Sequence, residues 1–204
     1  LLFTLTLLVS FSSFGQTAEE FYNIAKSKHD LKDFSGAIES YSKSIELGSY
    51  IPIASYYGRA DSKQELKNYE GAIEDYNRVL EIAKDYLTEF VYFNRGVCKY
   101  YIEDSYSAIS DFTESINIKP DNAGSYDWRG AIKYELGDLK GACIDWNKAK
   151  ELGSEFHAKN RLEYFLSFSF QILSYPALLF WKKPILANID LLKIDEGITG
   201  ISVS

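Results

Sequence analysis

The sequence predicts an all-α protein built as an array of stacked helix-turn-helix hairpins, and three observations carry that prediction. An Ala followed four residues later by an aromatic recurs at Ala37/Tyr41, Ala72/Tyr76, Ala108/Phe112 and Ala142/Trp146, with spacings of 35, 36 and 34 residues. A fixed period of this length marks a two-helix unit that cannot bury its apolar face without a neighbour. Twelve residues ahead of each Ala stands a small residue, Ala25, Ala60, Gly96 or Gly130, and four before that an aromatic, Phe21, Tyr56, Tyr92 or Tyr126. Small residues let facing helices approach closely, and aromatics fill the space beside them. Finally, Arg59, Arg95 and Arg129 each precede an Asp by sixteen residues, at Asp75, Asp111 and Asp145, while Ile24 and Ser40 take both places in the first unit. Partners that are present together or absent together predict an Arg-carboxylate pair between the two helices of a unit, with the planar guanidinium favouring two parallel bonds.

The units fall at 18–51, 53–86, 89–122 and 123–156, so the array occupies 17–156. Inside each unit a polar turn joins the helices: Leu31-Lys32-Asp33, Leu66-Lys67-Asn68, Glu103-Asp104-Ser105 and Leu136-Gly137-Asp138. Second helices close at Gly48, at Lys119-Pro120-Asp121 and at Gly153, as expected of Gly after a last turn and Pro shortly beyond it. The segment 84–88 makes the junction before the third unit longer, which predicts a local change in pitch.

The two ends differ from the array. Residues 1–16, LLFTLTLLVSFSSFGQ, combine an apolar run with the small residues Ser13 and Gly15. They predict a secretory signal peptide, its charged start truncated, with cleavage near Gly15–Gln16; the run is too short for a comfortable span. The mature protein is therefore expected outside the cytoplasm, secreted or periplasmic. At the other end, 157–181 predicts a capping helix on the fourth unit or a transmembrane helix, and 182–204 a tail. Residues 164–181 are uncharged and precede Lys182 and Lys183, which suits a span, but three Ser, a Gln and Pro176 weaken it. A membrane contact and a membrane-anchored location are thus the alternative.

The pattern of small and aromatic positions, with its period, resembles the tetratricopeptide repeat family across 18–156. Two departures stand out: the eleventh position is Lys in every unit (Lys28, Lys63, Lys99, Lys133), and only the third unit keeps a closing Pro, Pro120. The resemblance implies a right-handed superhelix whose concave wall is formed by the first helix of each unit. On that wall it places Tyr57, Asp61, Phe90, Phe93, Val97, Tyr100, Tyr101, Asp127 and Tyr134, with Asn94 beside them. The third unit's aromatics then form an apolar patch on a surface expected to face solvent, and such patches mark partner sites. Carboxylates around it predict a peptide partner with apolar and basic residues; packing of the same aromatics against neighbouring units is the alternative. The family's clamp for heat-shock carboxylate ends needs Lys, Asn and Arg. Its positions here hold Tyr22, Lys26, Gly58, Phe90 and Asn94, or Tyr57, Asp61, Asn94, Gly124 and Trp128, and neither set neutralises two carboxylates.

Composition narrows the function further. A net charge of −7 and a pI near 5.0 argue against nucleic acid, which needs clustered Lys and Arg. Cys98 and Cys143 lie in different units without a CxxC, and His29 and His157 lack ligand spacing, so small buried thiols and no metal or cofactor are expected. Nucleophile elbows, phosphate loops, dinucleotide glycines and HExxH motifs do not occur, so no enzymatic activity is expected. The sequence reads as a protein-protein interaction scaffold with a groove for a peptide or protein, or alternatively as a membrane-tethered assembly factor that uses its apolar carboxy-terminal segment.

Overall fold

A computed structural model describes residues 16–48, 51–83 and 88–154. Within them the chain forms eight helices in four hairpins: α1 (Ala18–Asp30) with α2 (Phe34–Glu46), α3 (Pro52–Glu65) with α4 (Tyr69–Ile82), α5 (Thr88–Tyr101) with α6 (Ser105–Ile118), and α7 (Ala123–Glu135) with α8 (Leu139–Glu151). Each helix packs on the next in sequence. The first helices of adjacent units also meet, α1 on α3 and α5 on α7. The fold class is the one the sequence predicts, a solenoid of helix-turn-helix repeats. The signal peptide expected over 1–16 and the segments 157–181 and 182–204 lie outside the described residues, apart from Gln16. Among the described residues no helix is long and apolar enough to cross a membrane.

The hairpin turns are four copies of one solution. The residue after each first helix's cap adopts a left-handed conformation: Lys32 at φ 62°, Lys67 at 60°, Glu103 at 64° and Gly137 at 85°. The next residue returns its N–H to a carbonyl five residues back, as Asp33 does to Lys28 (2.8 Å) and Asp138 to Lys133 (2.8 Å). This closes the first helix with a Schellman motif. That same residue then caps the second helix by accepting from a backbone N–H three residues on: Asp33 from Gly36, Asn68 from Gly71, Asp104 from Ser107 and Asp138 from Gly141. One short polar side chain thus ends one helix and starts another.

The periodic small and aromatic residues make the core. Ala25, Ala60, Ala37, Ala72, Ala108 and Ala142 are fully buried, and Tyr41, Tyr76, Phe112 and Trp146 fill the space between helices. In the fourth unit the fit is tight enough to demand glycine. A Cβ on Gly130 would lie 2.8 Å from the Trp146 ring and 3.3 Å from the Ala142 carbonyl.

The predicted Arg-Asp pairs are present and do more than join two helices. Arg59 donates to Asp75 through Nε (2.8 Å) and Nη2 (2.6 Å), Arg95 to Asp111 (2.8 and 2.6 Å), and Arg129 to Asp145 (2.9 and 2.7 Å). The Lys of the eleventh position, a departure from the family pattern, completes each cluster: Lys63, Lys99 and Lys133 reach the same carboxylates at 2.8, 2.9 and 2.8 Å. The remaining guanidinium nitrogen crosses to the preceding unit, where Nη1 of Arg59 donates to Ser42, that of Arg95 to Asn77 and that of Arg129 to Thr113. Each guanidinium also lies over the aromatic three residues before it, Tyr56, Tyr92 or Tyr126. In the first unit, where α1 is the first described helix, Ser40 turns back to the Gly36 carbonyl instead.

These carboxylates are 2 to 4% exposed, so removing one leaves two cations without compensation. Asp111→Ala is expected to lower the unfolding free energy by about 3 kcal/mol in urea titrations. The triple change Asp111→Leu, Arg95→Met and Lys99→Met is expected to lower it less. Equal losses, or none, would show that the cluster does not act as a unit.

Candidate partner-binding groove

The first helices place their exposed sides along one wall. Between α1 and α3 that wall opens into a cavity of about 560 Å³ lined by Tyr22, Lys26, His29, Asp30, Tyr41, Ile51, Pro52, Ile53, Ala54, Tyr57, Gly58 and Asp61. This volume falls in the range of ordinary ligand pockets. Gly58 makes room for it at the helix contact. A Cβ there would sit 2.4 Å from Cζ of Tyr41, so only glycine allows the Tyr41 ring to lie flush against α3. Tyr22 tilts against Tyr41 at 5.9 Å and Tyr57 meets Tyr76 edge-on at 5.8 Å, giving the cavity two aromatic sides.

The polar side of the cavity is a chain of contacts from α1 to α3. Ser62 donates its hydroxyl to the Gly58 carbonyl (2.7 Å), so its oxygen accepts from Nδ1 of His29 (2.9 Å). The other ring nitrogen of His29 faces Asp61 at 3.4 Å. Burial raises the Asp61 carboxyl above the usual carboxylate range, opposed by His29 and reinforced by Glu65. Burial, followed by the Asp61 charge, also raises the Tyr57 phenol, while Asn94 donates to its oxygen (2.9 Å) and pulls the other way.

In the third unit most of the aromatics follow the alternative reading, packing against a neighbouring unit. Phe93 lies edge-on to Phe112 (5.6 Å) and over Gly124, where a Cβ would be 3.3 Å away. Val97 is 7% exposed in the same core cluster. Tyr100 packs edge-on to Trp128 (5.4 Å) and donates its hydroxyl to Glu135 (2.8 Å). The fourth unit therefore covers most of the patch, because Gly124 and Trp128 together offer a socket and a lid. Asp127 is likewise withdrawn. It is 4% exposed, its carboxylate accepts from the Ser154 hydroxyl, and its carbonyl accepts from Trp146 Nε1 (3.3 Å). Tyr134 leans on Trp146 at 5.7 Å. Phe90 and Tyr101 remain exposed at 43% and 52%, Phe90 under the Lys119 ammonium and Tyr101 stacked flat on Tyr69 at 4.7 Å.

Of the residues expected on the groove, Tyr57 and Asp61 thus line the cavity and Asn94 holds Tyr57. The cavity residues not foreseen are Tyr41, Gly58, Ile51, Pro52 and Ile53, while Tyr22, Lys26, His29, Asp30 and Ala54 stand at positions that the resemblance puts on the wall. Gly58 was the readable signal, since Gly inside a helix costs about 1 kcal/mol against Ala unless something approaches it closely. Cys98 is buried as expected of a small thiol, whereas Cys143 is only half-buried. Cys98 is fully buried with Sγ 3.2 Å from Gln64, and burial pushes it up to about 12, so it is not a nucleophile at neutral pH.

Fold and wall together define a helical-hairpin repeat solenoid with a pocket between α1 and α3. Residues 19–47 and 53–86 match the model described as "Tetratricopeptide repeat", and α5 to α8 repeat the same hairpin. The chain is similar in structure to MamA protein, with a TM-score of 0.69 at 15% identity over 94% of this chain and 100% of that one. MamA from Desulfovibrio magneticus RS-1, residues 41 to the end, gives a TM-score of 0.62 at 18% identity over 66% and 75%. The first TPR of Spaghetti (RPAP3), solved with an HSP90 peptide bound, gives 0.55 at 20% over 60% and 94%. Comparison with curated proteins gives no match.

The packing of Phe93 makes its role testable. Phe93→Ala is expected to lower stability by roughly 2 kcal/mol, as for a large-to-small change beside a core, whereas Phe90→Ala shifts it by less than about 0.5 kcal/mol, as at a surface site. Chemical denaturation of the two variants reads the difference; equal effects would return Phe93 to the exposed wall.

Proposed function

We propose that the protein is a protein-protein interaction scaffold that works outside the cytoplasm and holds a peptide or an exposed protein segment along the wall formed by α1, α3, α5 and α7. The observation that carries this reading is the cavity between α1 and α3, since a repeat packed only for stability has no reason to keep such a space beside unpaired polar groups. The structural neighbour Spaghetti (RPAP3) has the HSP90 peptide SRMEEVD bound to its first TPR. An acidic peptide of that kind suits this chain poorly, because Asp30, Asp61 and Glu65 occupy the wall and the clamp positions hold Tyr22, Lys26, Gly58, Phe90 and Asn94. The favoured partner therefore has apolar residues and basic ones. Residues 1–16 support export, and the uncharged stretch 164–181 supports an alternative in which the scaffold is membrane-tethered and acts as an assembly factor.

Two measurements test this. A photo-crosslinking residue at position 57 is expected to capture a partner that the same residue at Glu114, exposed on the second helix α6, does not capture. Capture from position 114 alone would overturn the groove reading. Cell fractionation with amino-terminal sequencing is expected to recover a chain outside the cytoplasm that begins near Gln16; an intact 1–16 on a cytoplasmic chain would overturn the location.

A further inference from the structure

The cavity between α1 and α3 gathers two carboxylates and other polar groups against a single Lys, Lys26, at its rim. Asp30 and Asp61 both line it. Asp61 has a side-chain exposure of 37% and, among the described residues, pairs with His29 alone, at the long distance of 3.4 Å. Lys26 stands exposed at the rim and forms no ion pair with a described residue.

Tyr41 gives a second, independent sign. Its side chain is 4% exposed, it lines the cavity, and its hydroxyl has no hydrogen-bond partner among the described residues. A buried hydroxyl without a partner is costly. The aromatics at the same place in later units are not left so: the Tyr76 hydroxyl donates to Gln64 (3.2 Å) and the Trp146 Nε1 to the Asp127 carbonyl (3.3 Å). The acids make themselves felt at that hydroxyl. Burial first, then Tyr22, Asp30 and Asp61, push the Tyr41 phenol up to about 12.

An apolar guest would bury these carboxylates and the hydroxyl unpaired, and an anion would be repelled. A cation on an apolar stem satisfies all three features. Its methylenes pack on the tyrosine rings, its charge benefits from their faces and from the acids, and its N–H groups have acceptors in Asp61 and the Tyr41 oxygen.

We propose that this cavity is the subsite for a lysine or arginine side chain of the partner, with the stem between Tyr22, Tyr41 and Tyr57 and the cation held between Asp30 and Asp61 beside the Tyr41 hydroxyl. The inference rests on the groove reading above and names the residue class that its first cavity selects. Ile51, Pro52 and Ile53, which also line the cavity, then meet an apolar neighbour of that side chain, which makes a basic residue next to an apolar one the recognised pair.

The test is a positional-scanning peptide library panned on the whole chain, followed by affinity measurements on a selected peptide. The wild-type chain is expected to select Lys or Arg at one position. Replacing that residue by norleucine, which keeps the stem and drops the charge, weakens binding at least about tenfold, as does Asp61→Asn with Asp30→Asn in the protein. Glu74→Gln, exposed on α4, changes nothing, and thermal melts confirm that the variants fold. Selected peptides without a basic preference, or with one that survives the Asp30/Asp61 change, overturn this subsite and leave the groove standing. If no peptide is selected at all, the groove reading fails and the subsite falls with it.

Discussion

Stacking in this protein depends on a guanidinium that is bonded on every side. Arg59, Arg95 and Arg129 each fork onto a buried Asp of the same unit, reach a polar side chain of the unit before, and cover a tyrosine ring. Apolar contact brings helices together without dictating their register, because dispersion and water exclusion have little direction. A planar group with fixed donors does dictate it. The carboxylate it meets has a second cation in Lys63, Lys99 or Lys133, so the cluster carries two positive charges against one negative. Such a group is better placed to specify geometry than to add stability, since burying charge costs about as much as pairing it returns.

The same interaction positions the cavity. Arg59 reaches Ser42, and the neighbours of these two residues, Gly58 and Tyr41, are the pair that meets across α3 and α2. The bond that fixes the second unit against the first thereby fixes how the Tyr41 ring lies against the glycine. A slip of one residue on either helix would drive the ring into a side chain. The cavity is in this sense a consequence of register, and its shape inherits the precision of the bidentate pair.

Much of this was legible in the sequence. The period, the small and aromatic positions and the Arg-Asp correlation each report a contact that recurs with the repeat, and recurrence makes a weak local signal strong. The role of the eleventh-position Lys was hidden because a single Lys reads as solvated surface until a shared carboxylate is seen beneath it. Whether Phe93 lay on an open wall or against a neighbour stayed open in the sequence because its cover, Gly124 and Trp128, comes from the next unit, and the repeat pattern fixes positions within a unit better than the fit between two. Tyr41 was read as core, which it is. That its hydroxyl would face a space depends on Gly58, one missing methyl group on a different helix.

The two halves of the array consequently differ in what holds them. Units three and four share Phe93, Phe112, Trp128 and Tyr100 in one continuous set of ring contacts, and each has a full Arg-Asp-Lys cluster. Unit one has neither. It is tied to unit two by Arg59 to Ser42, by His29 on Ser62 and Asp61, and by the Ser44 to Ser55 contact. The cavity lies at this interface, between Tyr22, Tyr41 and Tyr57. A guest entering it would add its contacts to those that Arg59, His29 and Ser44 already make across this junction.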